Sequence, residues 1–171
     1  MEWLRWRREL QYLPWNQRGC RNLGCNGSDH HQLYATLRPP AVNETLFNCP
    51  LGAAVDSGGN IFVADCNNCT IRKMTPTGVV STLAGNPGVS GTANGVGSAA
   101  QFEWPQGVAV DSSGNVYVAD TGNSTVRKIT PAGAVTTLAG CPNVTGTANG
   151  TGSVARFNQL YGVAVDACGF V

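Results

Sequence analysis

The stretch GVAVDSSGNVYVADTGNSTVRKIT at residues 107–130 decides the fold, because the chain repeats it. Residues 52–75 read GAAVDSGGNIFVADCNNCTIRKMT, and residues 162–166 begin the same pattern again with GVAVD. Each copy starts 55 positions after the one before it, so Gly52, Gly107 and Gly162 are counterparts. A repeat of this length is typical of stacked supersecondary units and not of one ordinary globular core.

Short apolar segments alternate with turn residues inside each copy. In the second copy this pattern predicts four antiparallel strands, at residues 107–111, 115–120, 125–130 and 134–140. Sequences such as Ser-Ser-Gly-Asn and Pro-Ala-Gly separate them and are typical of tight turns. A glycine-rich connection of about 20 residues follows each fourth strand and is predicted to be a loop. The chain is therefore predicted to be all-β.

Four-stranded units that repeat at this length are typical of β-propeller blades. We predict two complete blades and a truncated third, at about residues 44–98, 99–153 and 154–171. Residues 1–43 lack the repeat and are predicted to be a separate lead-in, either disordered or a short helix with Trp3, Trp6, Leu10 and Leu13 at helical spacing. Because a blade cannot cover both of its apolar faces alone, we expect a fragment of a larger propeller, or a homo-oligomer if the chain is complete.

Residues 50–75 and 105–130 resemble the NHL repeat, as do the GTANG connection and the Leu-Ala-Gly after each fourth strand. The resemblance covers about residues 44–171 and implies a β-propeller, usually of six blades. It implies less about activity, because NHL-repeat proteins include protein-binding platforms, RNA-binding modules, extracellular sensor domains and one branch of amidating lyases.

Composition narrows the possible settings and partners. Residues 41–171 carry five Lys/Arg and seven Asp/Glu, a net charge of −2, which argues against nucleic acid as a partner. No segment is apolar enough over sufficient length to predict a membrane span. Seven cysteines and six Asn-X-Ser/Thr sequons favour an extracellular setting, but no signal peptide is recognised, so the location stays open. The sequons begin at Asn26, Asn43, Asn68, Asn123, Asn143 and Asn149.

The loops between the second and third strands differ between copies, whereas the strands around them do not. Variable loops on a constant scaffold are typical recognition sites, so we predict these loops to be binding rim loops. Their residues are Cys66, Asn67, Asn68 and Cys69 in the first copy and Thr121, Gly122, Asn123 and Ser124 in the second.

The pair Cys66 and Cys69 has the spacing of zinc ligands, and Cys20, Cys25, His30 or His31 could complete a site. A loop disulfide and free thiols are the other interpretations. Because the sister loop has Thr121 and Ser124 at the same places, the fold does not need cysteine there. We therefore predict no metal and no cofactor.

Asp65 and Asp120 end second strands, and Arg72 and Arg127 lie on the third strands that follow. Because both types recur in each copy, we predict structural roles, with the aspartates accepting turn N–H bonds and pairing with the arginines. The histidines lie outside the repeats, and Glu44 and Glu103 are not at equivalent positions, so catalysis has little support.

The sequence therefore predicts a non-catalytic binding or scaffold module that mediates protein interaction, although a small ligand stays open as the partner. Three alternatives remain: an extracellular ligand-sensing part of a larger receptor or enzyme, a fragment of a propeller-type lactone or ester hydrolase, and an RNA-binding propeller.

Overall fold

A computed structural model describes residues 46–171. The predicted lead-in, including its helical stripe, Cys20, Cys25, His30 and His31, lies outside the described residues, as does Glu44. In the part of the chain that is described, no helix has both the length and the apolar character needed to cross a membrane.

The first blade is a four-stranded antiparallel sheet whose strands lie side by side in chain order. Its first turn shows why the sequence folds this way, because the Asp56 carboxylate accepts N–H bonds from Gly58 at 2.9 Å and Asn60 at 2.8 Å. Such a turn reverses the chain locally and sets the next strand alongside the first. The strands are β1 (Pro50–Val55), β2 (Ile61–Asp65), β3 (Thr70–Met74) and β4 (Val80–Ala84).

The second blade contains the four predicted strands and one more, in the order β5-β9-β8-β7-β6. The extra strand lies in the glycine-rich connection that was predicted to be a loop, and it pairs Gly95 with Val135. A Cβ on Gly95 would lie 2.9 Å from Ala99, so glycine allows the connection to fold back tightly. The strands are β5 (Gly95–Val96), β6 (Pro105–Val110), β7 (Val116–Asp120), β8 (Thr125–Ile129) and β9 (Ala134–Ala139).

The two blades stack face to face, as propeller blades do. One hydrophobic cluster joins residues of both sheets, and Phe102, the repeated phenylalanine, is completely buried in it. Burying each large apolar side chain stabilises the fold by about 1.5–3 kcal/mol relative to its exposure. Members of the cluster include Phe62, Ala64 and Ile71 from the first blade and Val116, Val118 and Ile129 from the second.

The third copy contains a counterpart of the first strand of a blade. These residues, 160–165, correspond to β6 but form no strand ladder. In both blades the first strand pairs with the second strand, and the counterpart of β7 would begin after residue 170. The segment packs on the second blade, since a Cβ on Gly107 would lie 2.7 Å from the Tyr161 carbonyl oxygen.

Candidate functional site

Loops at the two ends of the strands form two rims. The connection rim contains residues 66–69 and 121–124 together with the blade-to-blade connections that begin at residues 85 and 140. Hydrogen bonds join these parts, from Gly88 N to the Asn68 carbonyl at 2.9 Å and from Asn143 N to the Asn123 carbonyl at 3.1 Å. The turn rim, at the opposite strand ends, contains residues 56–60, 75–79, 111–115 and 130–133.

The structure places the predicted rim loop residues at the connection rim, but half of them are buried. Cys66, Cys69, Asn123 and Ser124 are buried, and of the eight residues only Asn67 is exposed. The remaining three are half-buried. Gly122 N donates to the Glu103 carbonyl at the start of the same blade at 2.8 Å, and Thr121 Oγ1 donates to the Leu160 carbonyl of the next copy at 2.5 Å. A ligand at this rim would therefore meet Asn67 and the neighbouring connections rather than the loop interiors.

The structure brings each predicted Asp–Arg pair together inside its blade. Arg72 Nη1 lies 3.3 Å from Asp65 Oδ2, and Arg127 Nη1 lies 2.8 Å from Asp120 Oδ2, with all four side chains buried. The other carboxylate oxygen of each aspartate accepts a backbone N–H bond from the start of the same blade: Asn48 N donates to Asp65 Oδ1, and Glu103 N donates to Asp120 Oδ1. The pairs therefore connect the rim loop to the first strand of the same blade.

Arg127 extends this connection to the glycine-rich segment. Its Nη2 donates to the Ala93 carbonyl at 3.0 Å and to Asn94 Oδ1 at 2.8 Å, and its Nη1 donates to the Gln101 carbonyl at 3.1 Å. Its guanidinium also lies 5.3 Å from the centre of the Phe102 ring, within cation–π range. One buried cation thus orients the connection between the blades, and both of its Nη atoms are engaged in this packing role.

The asparagines of two sequons take part in the same network. Asn123 is 0% exposed, and its Nδ2 donates to Asp120 Oδ2 at 2.8 Å and to the Gly91 carbonyl at 2.7 Å. Asn68 Nδ2 likewise donates to Asp65 Oδ2 at 2.8 Å. A glycan on either nitrogen would remove these bonds, so two of the six sequons have a structural reason and no longer favour an extracellular setting.

The Asp120 carboxyl is predicted to titrate near neutral pH. Burial raises its pKa to about 6, although hydrogen bonds from Asn123 and Glu103 N and the charge of Arg127 lower it in part. Because the folded-state pKa lies above the unfolded value of 3.8, the folded state binds more protons between these values, and stability falls as the pH rises through that window. We expect a loss on the order of 2 kcal/mol between about pH 4 and 6.5, measured by urea unfolding of the full chain.

Asp120→Asn is the control for this prediction, because it should remove that pH dependence. Asp111 offers a second comparison within the same blade. Burial acts to raise the pKa of Asp111, but bonds from Asn115, Tyr117 and Ser113 outweigh it and leave that pKa lowered. An NMR titration in which Asp120 titrates as low as Asp111 would contradict the prediction.

Cys66 begins a short 3-10 turn, and Cys69 directly follows it. Cys69 N donates to the Cys66 carbonyl at 3.1 Å. They are not joined to each other, and the described residues include no cluster of three or more metal-ligating side chains. Burial raises the pKa of the Cys69 thiol, and a hydrogen bond from Trp104 N lowers it in part. That contact places the sulfur of the first blade beside the start of the second.

Trp104 is a rim residue that sequence reasoning missed. It is 39% exposed at the start of the second blade and has a φ of 47°, in the left-handed region. Its counterparts Cys49 and Gln159 both have a φ of 53°, so the backbone conformation belongs to the repeat while the side chain varies. The sequence does contain a signal for this rim residue, which is an aromatic residue at a position that differs in every copy.

Comparisons with known proteins agree with this architecture. Part of the protein SUPPRESSOR OF QUENCHING 1, chloroplastic, of Arabidopsis thaliana is 40% identical over 87 residues, which are 50% of this chain and 8% of that protein. Two solved structures from Bacteroides thetaiotaomicron are also similar. An auxiliary nutrient binding protein has 22% identity and a TM-score of 0.61 over 67% of this chain and 32% of its own. A protein of unknown function has 29% identity and a TM-score of 0.59 over 64% and 28%.

The chain spans about a third or less of the length of each of these relatives. The family model of the NHL repeat matches residues 47–74 and 102–129, which fall on the first three strands of each blade and the phenylalanine before them. The blades, their 55-residue period and these matches coincide. The stretches at residues 47–74 and 102–129 are therefore NHL repeats.

Proposed function

We propose that the repeat region is a non-catalytic binding module whose connection rim contacts a protein partner around Trp104. The observation that supports this most directly is the exposed indole beside the first rim loop, where Trp104 N contacts the sulfur of Cys69. Tryptophan is enriched among the few interface residues that supply most of the binding energy. Asn67 in the adjacent loop is the exposed polar neighbour that such a contact needs at its edge.

The backbone at this rim separates packing from recognition. Positions 49, 104 and 159 have the same left-handed conformation and present a cysteine, a tryptophan and a glutamine. Tyr161, two residues after Gln159, is 59% exposed and adds a second aromatic side chain. Changing these side chains alters the rim chemistry without altering the blade, which is how a repeat scaffold acquires a specific partner.

The aspartates of the described repeats are engaged in structure, which supports a role without catalysis. Asp65 and Asp120 form the buried ion pairs. The other three accept backbone N–H bonds inside the turns at the strand ends opposite the connection rim: Asp56, Asp111 and Asp166. Among the residues that the structure describes, this leaves Glu103 as the acid that the hydrolase alternative could use, and its counterparts Asn48 and Asn158 carry no acid.

A chloroplast is a second candidate location, because the plant relative is named as a chloroplastic protein. It competes with the extracellular setting, for which Asn143 and Asn149 remain as exposed sequons. A fluorescent fusion of the full-length gene product in plant cells distinguishes the two.

A site-specific crosslinker tests the proposed function. We expect a benzophenone amino acid at position 67 to capture a protein from cell extract, whereas the same group at Thr77 on the turn rim should not. Trp104→Ala should then weaken binding of the captured protein by at least about tenfold, as loss of a hot spot does. Equal capture at both rims, or capture of RNA with affinity that falls steeply with salt, would overturn the proposal.

A further inference from the structure

The rim loop of the second blade leaves a carboxylate open at the connection rim. In the first blade the Asn67 side chain closes the corresponding place, because its Nδ2 donates to Asn48 Oδ1 at 3.2 Å. The counterparts in the second blade are Gly122 and Glu103. A Cβ on Gly122 would overlap with Glu103 Cγ, so glycine lets the glutamate side chain lie over the loop. The second blade thus has a glutamate with no loop side chain opposite it.

The Glu103 carboxylate is available to a cation from outside the repeats. Within residues 46–171 no hydrogen bond or ion pair engages this carboxylate, and the residue is only half-buried. All five basic side chains of these residues are engaged elsewhere. Two form the buried ion pairs, two lie over aromatic rings and one donates to backbone carbonyls: Arg72, Arg127, Lys73, Lys128 and Arg156.

Trp104 lies at the same point of the rim as Glu103. Burial raises the pKa of the Cys69 thiol, a hydrogen bond from Trp104 N lowers it in part, and the negative charge of Glu103 raises it further. Both residues therefore lie beside the first rim loop. Consecutive side chains of a strand point to opposite faces, but Trp104 precedes β6 and its φ of 47° interrupts that alternation. The rim thus places an exposed indole beside an acid.

An indole beside a carboxylate suits a guanidinium group. The face of a tryptophan ring attracts cations, and arginine is the more frequent partner. A planar guanidinium can stack on the ring and still donate two parallel hydrogen bonds to a carboxylate, which an ammonium cannot do. The net charge of −2 on residues 41–171 favours the approach of a cation as well.

We propose, on the basis of the proposed function, that Glu103 and Trp104 bind an arginine side chain of the protein partner. Trp104 supplies the apolar surface, and Glu103 supplies the charge and the orientation. A neutral side chain in the same place would desolvate the carboxylate without pairing it, so the site selects against such partners.

Selection of random peptides displayed on phage, with the full chain as the target, tests this inference. We expect the peptides whose binding is lost in Trp104→Ala to share an arginine. Replacing that arginine by citrulline keeps the shape and removes the charge, and it should weaken binding about tenfold. Glu103→Gln should weaken the arginine peptide about fivefold but scarcely affect the citrulline peptide, because the interaction is already absent there. Affinity for the arginine peptide should also fall as salt is added.

Two controls separate recognition from folding. Glu103→Gln keeps the backbone N–H that donates to Asp120, so its Tm should equal that of the unmutated chain. Asn158→Gln changes the exposed counterpart in the third copy and should leave affinity unchanged. Trp104-dependent peptides that share no arginine, or equal affinity of the arginine peptide for Glu103→Gln, would overturn this inference and leave the proposed protein contact standing. A selection that yields no Trp104-dependent peptide would count against both.

Discussion

Arg127→Met is expected to lower the free energy of unfolding by about 3–5 kcal/mol at pH 8, measured by urea unfolding of the full chain. The change leaves the Asp120 carboxylate buried without its cation and removes donors from the Ala93 and Gln101 carbonyls. Methionine preserves most of the volume over the Phe102 ring, so lost packing contributes little. The expected loss is large because an unpaired buried charge costs more than a buried ion pair contributes.

Two comparisons separate this explanation from a general packing defect. Asp120→Leu combined with Arg127→Met removes both charges and should recover part of the stability lost in Arg127→Met. The loss should also shrink at pH 5, because without Arg127 the pKa of Asp120 rises further and the carboxyl takes up a proton. A loss below about 1 kcal/mol, unchanged by pH, would show that the pair does not hold the connection.

The blade fold was predictable because its local signals agree with one another. Val116 to Asp120 begins with a short apolar run bounded by turn residues, which is typical of a buried strand, and Asp111 with Asn115 supplies the turn before it. The short strand β5 was not predictable in this way, because its pairing with β9 depends on a blade that begins ten residues later. A two-residue glycine-containing segment carries too little periodicity to indicate a strand.

The candidate site was less predictable, since burial decides which loop residues a partner can reach. The loops that differ between copies suggested recognition, yet Ser124 replaces Cys69 at a buried position, and Asn123, identical to its counterpart Asn68, is buried in the ion-pair network. Trp104 was missed because exposure depends on a left-handed backbone at the blade start, and tryptophan gives no local signal for that conformation.

Gly52→Ala tests how closely the first strands of successive blades approach. A Cβ at position 52 would lie 2.2 Å from the Gln106 carbonyl oxygen of the next blade, and backbone atoms cannot move aside as a side chain can. We expect a loss of about 3 kcal/mol in the free energy of unfolding, because the two sheets must separate along β1 and β6. Urea unfolding monitored by circular dichroism provides the measurement.

The repeat supplies matched controls for this change. At Gly107 a Cβ would lie 2.7 Å from the Tyr161 carbonyl oxygen, whereas at Gly162 nothing lies within 4 Å. Since none of the three glycines has the left-handed φ that would strain alanine, the substitutions differ only in what the added carbon meets. Gly107→Ala should therefore cost less than Gly52→Ala, because the closest atom lies farther from the added carbon. Equal losses at these two positions would show that glycine is needed for the strand itself and not for contact between blades.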